Sequence, residues 1–231
     1  ETGYYEFTLP KAPVYLKVTP EVIGAAKIGQ QVRVDVTINQ LRAEDRLFGI
    51  EWKLRFNSTF LTVLDVTEGN FLRLQAEKAT NETGEQYSTG FDYTWDKDTD
   101  FIISFNLYLK LPWPPKVFPA GSGTLATIVF NATQMPAALA RTDLTLYDVI
   151  MLDVDGNEIV FNRVESGAFI APSEPGDLNY DQKINIQDVY IFGSSFGSYP
   201  GHKRWDSRAD VNGDGKVNML DGVIIAKAFH L

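Results

Sequence analysis

DLNYDQKINIQDVYIFGSSF (177–196) and DVNGDGKVNMLDGVIIAKAF (210–229) align without a gap at an offset of 33 residues. Asp, Asn, Asp, Lys, Asn, Asp and Phe recur in register. Each copy opens with twelve residues that place oxygen-bearing side chains at positions 1, 3, 5, 9 and 12. Calcium takes six to eight oxygen ligands at about 2.3–2.6 Å, and a loop with this spacing can wrap it, with a backbone carbonyl added from position 7. The first copy offers Asp177, Asn179, Asp181, Asn185 and Asp188, with the Lys183 carbonyl. The second offers Asp210, Asn212, Asp214, Asn218 and Asp221, with the Lys216 carbonyl. Asp and Asn also make plain turns, but two in-register copies make that a poor account. Two calcium ions are therefore expected. Position 6, where the turn needs a positive φ, is Gly215 in the second copy and Gln182 in the first. A side chain there costs on the order of 1 kcal/mol, so the first site is expected to be the weaker.

The pattern after each loop is helical. Val189, Phe192 and Phe196 form one expected apolar stripe, and Leu220, Ile224, Ile225 and Phe229 the other. No helix precedes the first loop, because Pro175-Gly176 stands directly before it. The unit is loop plus exiting helix. A module this small has little core, and calcium is its expected staple, so metal binding and folding should be coupled.

Upstream, the first 170 residues read as strands. QVRVDVTIN (31–39) alternates Val32, Val34, Val36 and Ile38 with polar residues, and IEWKLRF (50–56) does the same. LTVLDV (61–66), FIISFNLYL (101–109), TLATIVF (124–130) and LTLYDVI (144–150) are further strands, separated by turn residues that include Gly69-Asn70. No long helix is expected among them, which points to an antiparallel sandwich or jelly roll. The fold class is thus mostly β with a small α-helical calcium module. The division is 4–170 for the β-sandwich, 171–176 (APSEPG) for a linker of at most about 20 Å, and 177–231 for the calcium module.

Composition narrows the function. A net charge of −9 argues against a nucleic-acid partner, and no apolar run is long enough to span a membrane. The 231 residues include no cysteine, which removes disulfides, thiolate metal sites and cysteine nucleophiles. Asn57, Asn81 and Asn131 head glycosylation sequons. The chain begins at Glu1-Thr2-Gly3 with no leader, so removal of a signal peptide is expected.

The doubled D-x-N-x-D-x-K-[IV]-N-x-x-D motif with loop–helix units resembles a dockerin module over 177–231, departing from it at Gln182 and at the apolar pair Met219-Leu220. VYLKVTP (14–20), LFGIEWKLRFN (47–57), LTVLDVTEGNFL (61–72) and GSGTLATIVF (121–130) resemble a cohesin, a nine-stranded flattened jelly roll, over roughly 12–170; segment 4–11 lies outside that resemblance. The resemblance implies a non-catalytic extracellular or cell-surface assembly protein. Its partner would be the cohesin or dockerin of another chain, a second copy of itself joined head to tail being one such partner. It also implies partner contacts at loop positions 10 and 11, here Ile186, Gln187, Met219 and Leu220, with packing between the repeats as the alternative. Because Ile-Gln differs from Met-Leu, one binding orientation is expected.

Other constellations are weaker. Asp153 to Glu158 reads as an Asp-Gly hairpin turn. His202 and His230 have no catalytic companion, and no carboxylate pair is marked as acid and base. Trp52, Trp95 and Trp113 are expected in core or rim positions. If they stacked on sugars instead, the chain would be a carbohydrate-binding sandwich carrying a dockerin. Tyr5, Phe7 and Leu9 alternate with polar neighbours as a strand would, either in its own sandwich or donated to a neighbouring subunit.

Overall fold

The computed structural model describes residues 14–25, 27–96, 102–112, 114–137, 140–161, 163–171 and 174–229. Segment 4–11, Trp113 and His230 lie outside them.

Alternation sets the sandwich. Along β3 (Gln31–Leu41), Val32, Val34, Val36 and Ile38 are fully buried while the residues between them are not. Along β4 (Leu47–Arg55), Ile50, Trp52 and Leu54 do the same. The remaining strands are β1 (Tyr15–Thr19), β2 (Val22–Gly24), β5 (Leu61–Glu68), β6 (Ser88–Asp96), β7 (Ile102–Lys110), β8 (Gly121–Ala132), β9 (Arg141–Asp153), β10 (Arg163–Glu165) and β11 (Gly167–Ile170). One sheet has the order β10-β1-β3-β8-β5 and the other β2-β11-β9-β4-β7-β6. The two faces meet in one apolar core, where the Trp52 and Phe105 rings stack at 4.9 Å. Most pairings are antiparallel. The exceptions are β1 with β10 and β2 with β11, which are parallel. The first and last strand segments therefore cross together from one sheet to the other.

The strand runs read from sequence fall on strands, except that β4 stops one residue short of Phe56 and Phe101 lies outside the described residues, but the expectation of no long helix is wrong. Asn70–Thr83 forms α1, entered at Gly69 and ended by Gly84 in the left-handed region, whose amide donates to Thr80 O. The Gly69-Asn70 turn is the helix entry. Phe71, Leu72, Ala76 and Ala79 are its buried face. Two alanines make a faint apolar stripe in sequence, yet they pack with Tyr87 in a small cluster of their own against Leu111 and Val117. Gly123 on β8 makes room for Phe71, since a Cβ there would stand 2.7 Å from that side chain. Gly123→Ala is expected to destabilise the sandwich by about 1–3 kcal/mol through overpacking, read as a lowered thermal midpoint.

Downstream, α2 (Ile186–Ser195) and α3 (Met219–Ala228) enclose a second, separate core of Leu178, Ile184, Ala209, Val211, Val217 and Ile225. Phe192 reaches across to Gly222, where a Cβ would come within 2.9 Å of its ring. Of the expected stripes, Phe192, Ile224, Ile225 and Phe229 do face this core. Val189, Phe196 and Leu220 do not and are exposed. The helices are capped so early that position 11 of the second loop already points to solvent.

The two cores are joined by a polar seam. Gln30, at the head of β3, donates from Nε2 to Ser207 O at 2.9 Å. Ser207 Oγ donates to Gly24 O at 2.9 Å. The Tyr180 ring lies against Gly24, where a Cβ would overlap its hydroxyl, and burial pushes the Tyr180 phenol well above its ordinary pKa.

Candidate calcium loops and recognition faces

Both loops fold around their first carboxylate. Asp177 Oδ1 accepts from Asp181 N at 3.1 Å and Oδ2 from Gln182 N at 3.2 Å. Asp210 repeats this with Asp214 N and Gly215 N, both at 3.0 Å. The last carboxylate ties the loop to its helix. Asp188 accepts from Leu178 N at 2.7 Å and Asn185 N at 2.8 Å, and Asp221 accepts from Asn212 N at 3.1 Å and Asn218 N at 2.8 Å. Asn185 and Asn218 are the helix N-caps, accepting from Gln187 N and Leu220 N. Position 9 and position 12 thus form a capping box while standing at ligand positions. With its oxygen engaged in capping, position 9 would meet a cation through water.

The arrangement suits a hard cation. Asp177, Asp188, Asp210 and Asp221 are all buried, and among the described residues Asp188, Asp210 and Asp221 form no ion pair with Lys or Arg. Burial raises the Asp210 carboxyl above the usual range, and the fields of Asp221 and Asp214 add to this against two backbone hydrogen bonds that lower it. A bound divalent cation would reverse that penalty. Among the described residues no trio of acidic or histidine side chains by itself forms a metal cage; the ligand set mixes carboxylates with amides and a carbonyl, as calcium accepts and softer metals do not. Asn179, Asp181, Lys183, Asn212, Asp214 and Lys216 line the same loops, with Asp181 and Asp214 each accepting from the position-7 amide at 2.9 Å.

Both loops need two left-handed residues. In the second they are Gly213 at φ 66° and Gly215 at φ 85°; in the first they are Tyr180 at φ 62° and Gln182 at φ 68°. Position 4 is a demand the sequence reading missed, although Gly213 facing Tyr180 in the alignment is its signal. Each non-glycine costs roughly 1–2 kcal/mol. Gln182→Gly is expected to tighten calcium at the first loop about fivefold, the binding share of roughly 1 kcal/mol of relieved strain, measured by calorimetric titration.

Loop positions 10 and 11 do not pack between the repeats. Ile186 is 70% exposed, Met219 66% and Leu220 62%, and Gln187 is exposed beside them. Val189 and Tyr190 on α2 and Val223 on α3 are exposed as well. A second face lies on the six-stranded sheet. There Phe48 and Ile150 are exposed and, with Glu51, Asn106, Tyr108 and Leu152, line a shallow concavity of about 180 Å³. Tyr108 lies across Gly90. Lys53 pairs with Asp148 at 2.8 Å. Nothing in the alternation singled out these residues, because an outward apolar residue breaks the pattern without naming its purpose.

The other sequence candidates fall outside these faces. Trp52 is a core residue and Trp95 packs against the core, so neither is an open sugar platform. His202 Nδ1 accepts from Arg204 N. The Asp153–Asn157 stretch is a turn, with Gly156 at φ 83° and Asp153 Oδ1 accepting from Asp155 N and Asn157 N. Asn57 and Asn81 are exposed, while Asn131 is half-buried in β8.

Comparison with known proteins follows the same division. The family model described as the dockerin type I domain matches residues 175–230. No curated protein matches the chain. A chain of the Coh-OlpC–Doc435 complex from Clostridium thermocellum, described as a type I cohesin–dockerin complex, superposes with TM-score 0.53 at 16% identity, covering 73% of this chain and 99% of that one. The third cohesin of ScaC from Acetivibrio cellulolyticus, solved with the ScaB dockerin, gives TM-score 0.52 at 13% identity, covering 69% and 99%. At such identities the likeness speaks for the fold. Residues 175–230 are a type I dockerin domain, and they follow a β-sandwich with the cohesin fold.

Proposed function

We propose that the chain is a non-catalytic, secreted assembly protein. Its 177–231 module binds two calcium ions and enters the cohesin-fold domain (4–170) of another copy. The seam holds each module in place. The observation that carries this reading is the pair of exposed apolar faces on one chain, one around Met219 and Leu220 and one around Phe48 and Ile150. The related cohesin folds are described in type I complexes with dockerins, so the two modules are of kinds that meet.

The seam supports contact between copies rather than within one. Gln30 and Gly24 fasten Ser207, and Gln30 also Asp210 of the second loop, to the ends of β3 and β2, whereas the concavity is built on β4, β7 and β9. A face held this way is presented outward, and a heterologous contact that does not close gives a chain of subunits. No described helix is long and apolar enough to cross a membrane. Exposed Asn57 and Asn81 fit passage through a secretory route.

Immobilised chain should capture a second copy from solution in calcium and release it in chelator. Capture that ignores calcium would contradict the reading, as would no capture at any concentration.

A further inference from the structure

We infer that Gln30, a residue of the β domain, belongs to the outer shell of the second calcium loop, so that calcium occupancy and docking of the two modules are coupled. This rests on the reading of Asp210 to Asp221 as a calcium loop. Gln30 is 6% exposed. Its Nε2 donates to Ser207 O at 2.9 Å, to Asp210 O at 3.2 Å and to Asp210 Oδ2 at 3.3 Å. Asp210 is position 1 of the loop, so its carboxylate is aimed by three donors: Asp214 N, Gly215 N and a side chain from the other domain.

The chemistry of the donor matters. A neutral amide can fix the orientation of a carboxylate without competing for its charge, which a lysine or arginine would do. Outer-shell partners of this kind typically change metal affinity 10- to 100-fold when removed. The backbone on both sides is firm. Ala132 N donates to Gln30 O at 3.0 Å, and Gly29 N donates to Ala132 O at 2.7 Å. Lys27 lies on the same loop edge, its stem against Gly213, with Nζ at 3.5 Å from Asn212 O. The first loop meets the β domain differently, through the Tyr180 ring on Gly24.

Coupling of this kind is reciprocal. Whatever factor docking adds to calcium affinity at the second loop, calcium adds to docking. Filling the loop would then stiffen the angle at which the dockerin is carried.

The test is a calcium titration of the full chain followed by NMR. The Gly215 amide reports the second loop and the Gln182 amide the first. Gln30→Leu and Gln30→Ala are compared with wild type, and β3 resonances confirm that each variant is folded. The expected result is about a 10-fold loss of affinity at the second loop, little change at the first, and, in wild type, loss of the Gly24–Tyr180 cross-peaks on chelation. Unchanged affinity at the second loop in a folded Gln30 variant overturns the inference while leaving the calcium reading intact. Absence of calcium binding by wild type overturns both.

Discussion

Chelating calcium is expected to unfold residues 177–229 while the β-sandwich stays folded. Among the described residues the module has six buried apolar residues at its centre, three of them, Ala209, Val211 and Val217, small residues from the stretch between the helices. The chain has no disulfide to help. Against this small core stand four buried carboxylates, and buried charge is costly to a fold unless a counter-charge such as a bound cation compensates it. A ligand present at about a thousand times its dissociation constant adds roughly 4 kcal/mol, which is comparable to everything a core of this size provides. Chelator should therefore abolish the α2 and α3 helical signal and expose Trp205, which packs on the module core. The β-sheet signal and the buried Trp52 should persist. Asp210→Ala and Asp221→Ala should do the same at ordinary calcium. Asp221 has the larger expected effect, because it also forms the capping box with Asn218 and holds Asn212 N. Circular dichroism with tryptophan fluorescence is the measurement. Full retention of helix in chelator would show that the core suffices without metal.

Met219→Asp combined with Leu220→Asp is expected to weaken partner binding by 100-fold or more without lowering the thermal midpoint. Both side chains are about two-thirds exposed, so the folded monomer loses little. A central apolar anchor in an interface is commonly worth 2–4 kcal/mol, and placing carboxylates there adds the cost of desolvating them. Ile186→Asp on the first repeat tests orientation. If one orientation dominates, it has a small effect when the Met219 change has a large one. Calorimetry against a second copy, or against a chain carrying only the intact sheet face, reads both. Equal losses from both repeats would mean that the two orientations are used alike.

What was legible in the sequence follows from how each feature is encoded. The candidate calcium loops are local, since spacing and residue type suffice to propose them, and the comparison of two copies identified Gln182 as one of the two left-handed non-glycine positions of the first loop, at φ 68°. The strands were legible because Val32 to Ile38 and Ile50 to Leu54 alternate cleanly. Helix α1 was lost because its buried face includes Ala76 and Ala79, whose small side chains carry little hydrophobic signal, and because Gly69-Asn70 looks like a turn. The strands β6, β10 and β11 are short or polar at the edges and depend on their neighbours for pairing. The seam was invisible because Gln30 and Asp210 are 180 residues apart. No periodicity links a glutamine at a strand head to a carboxylate in a distant loop. The inward stripes were partly misphased at Val189, Phe196 and Leu220, since helical spacing gives the relation between residues but not which side meets the core.

Light scattering of the purified chain across concentration, in calcium and then in chelator, tests the central claim most directly. The account predicts a mass that grows with concentration in calcium, collapses to the monomer in chelator, and stays monomeric in calcium for the Met219→Asp, Leu220→Asp variant. A strict monomer in calcium at every concentration would contradict assembly between copies.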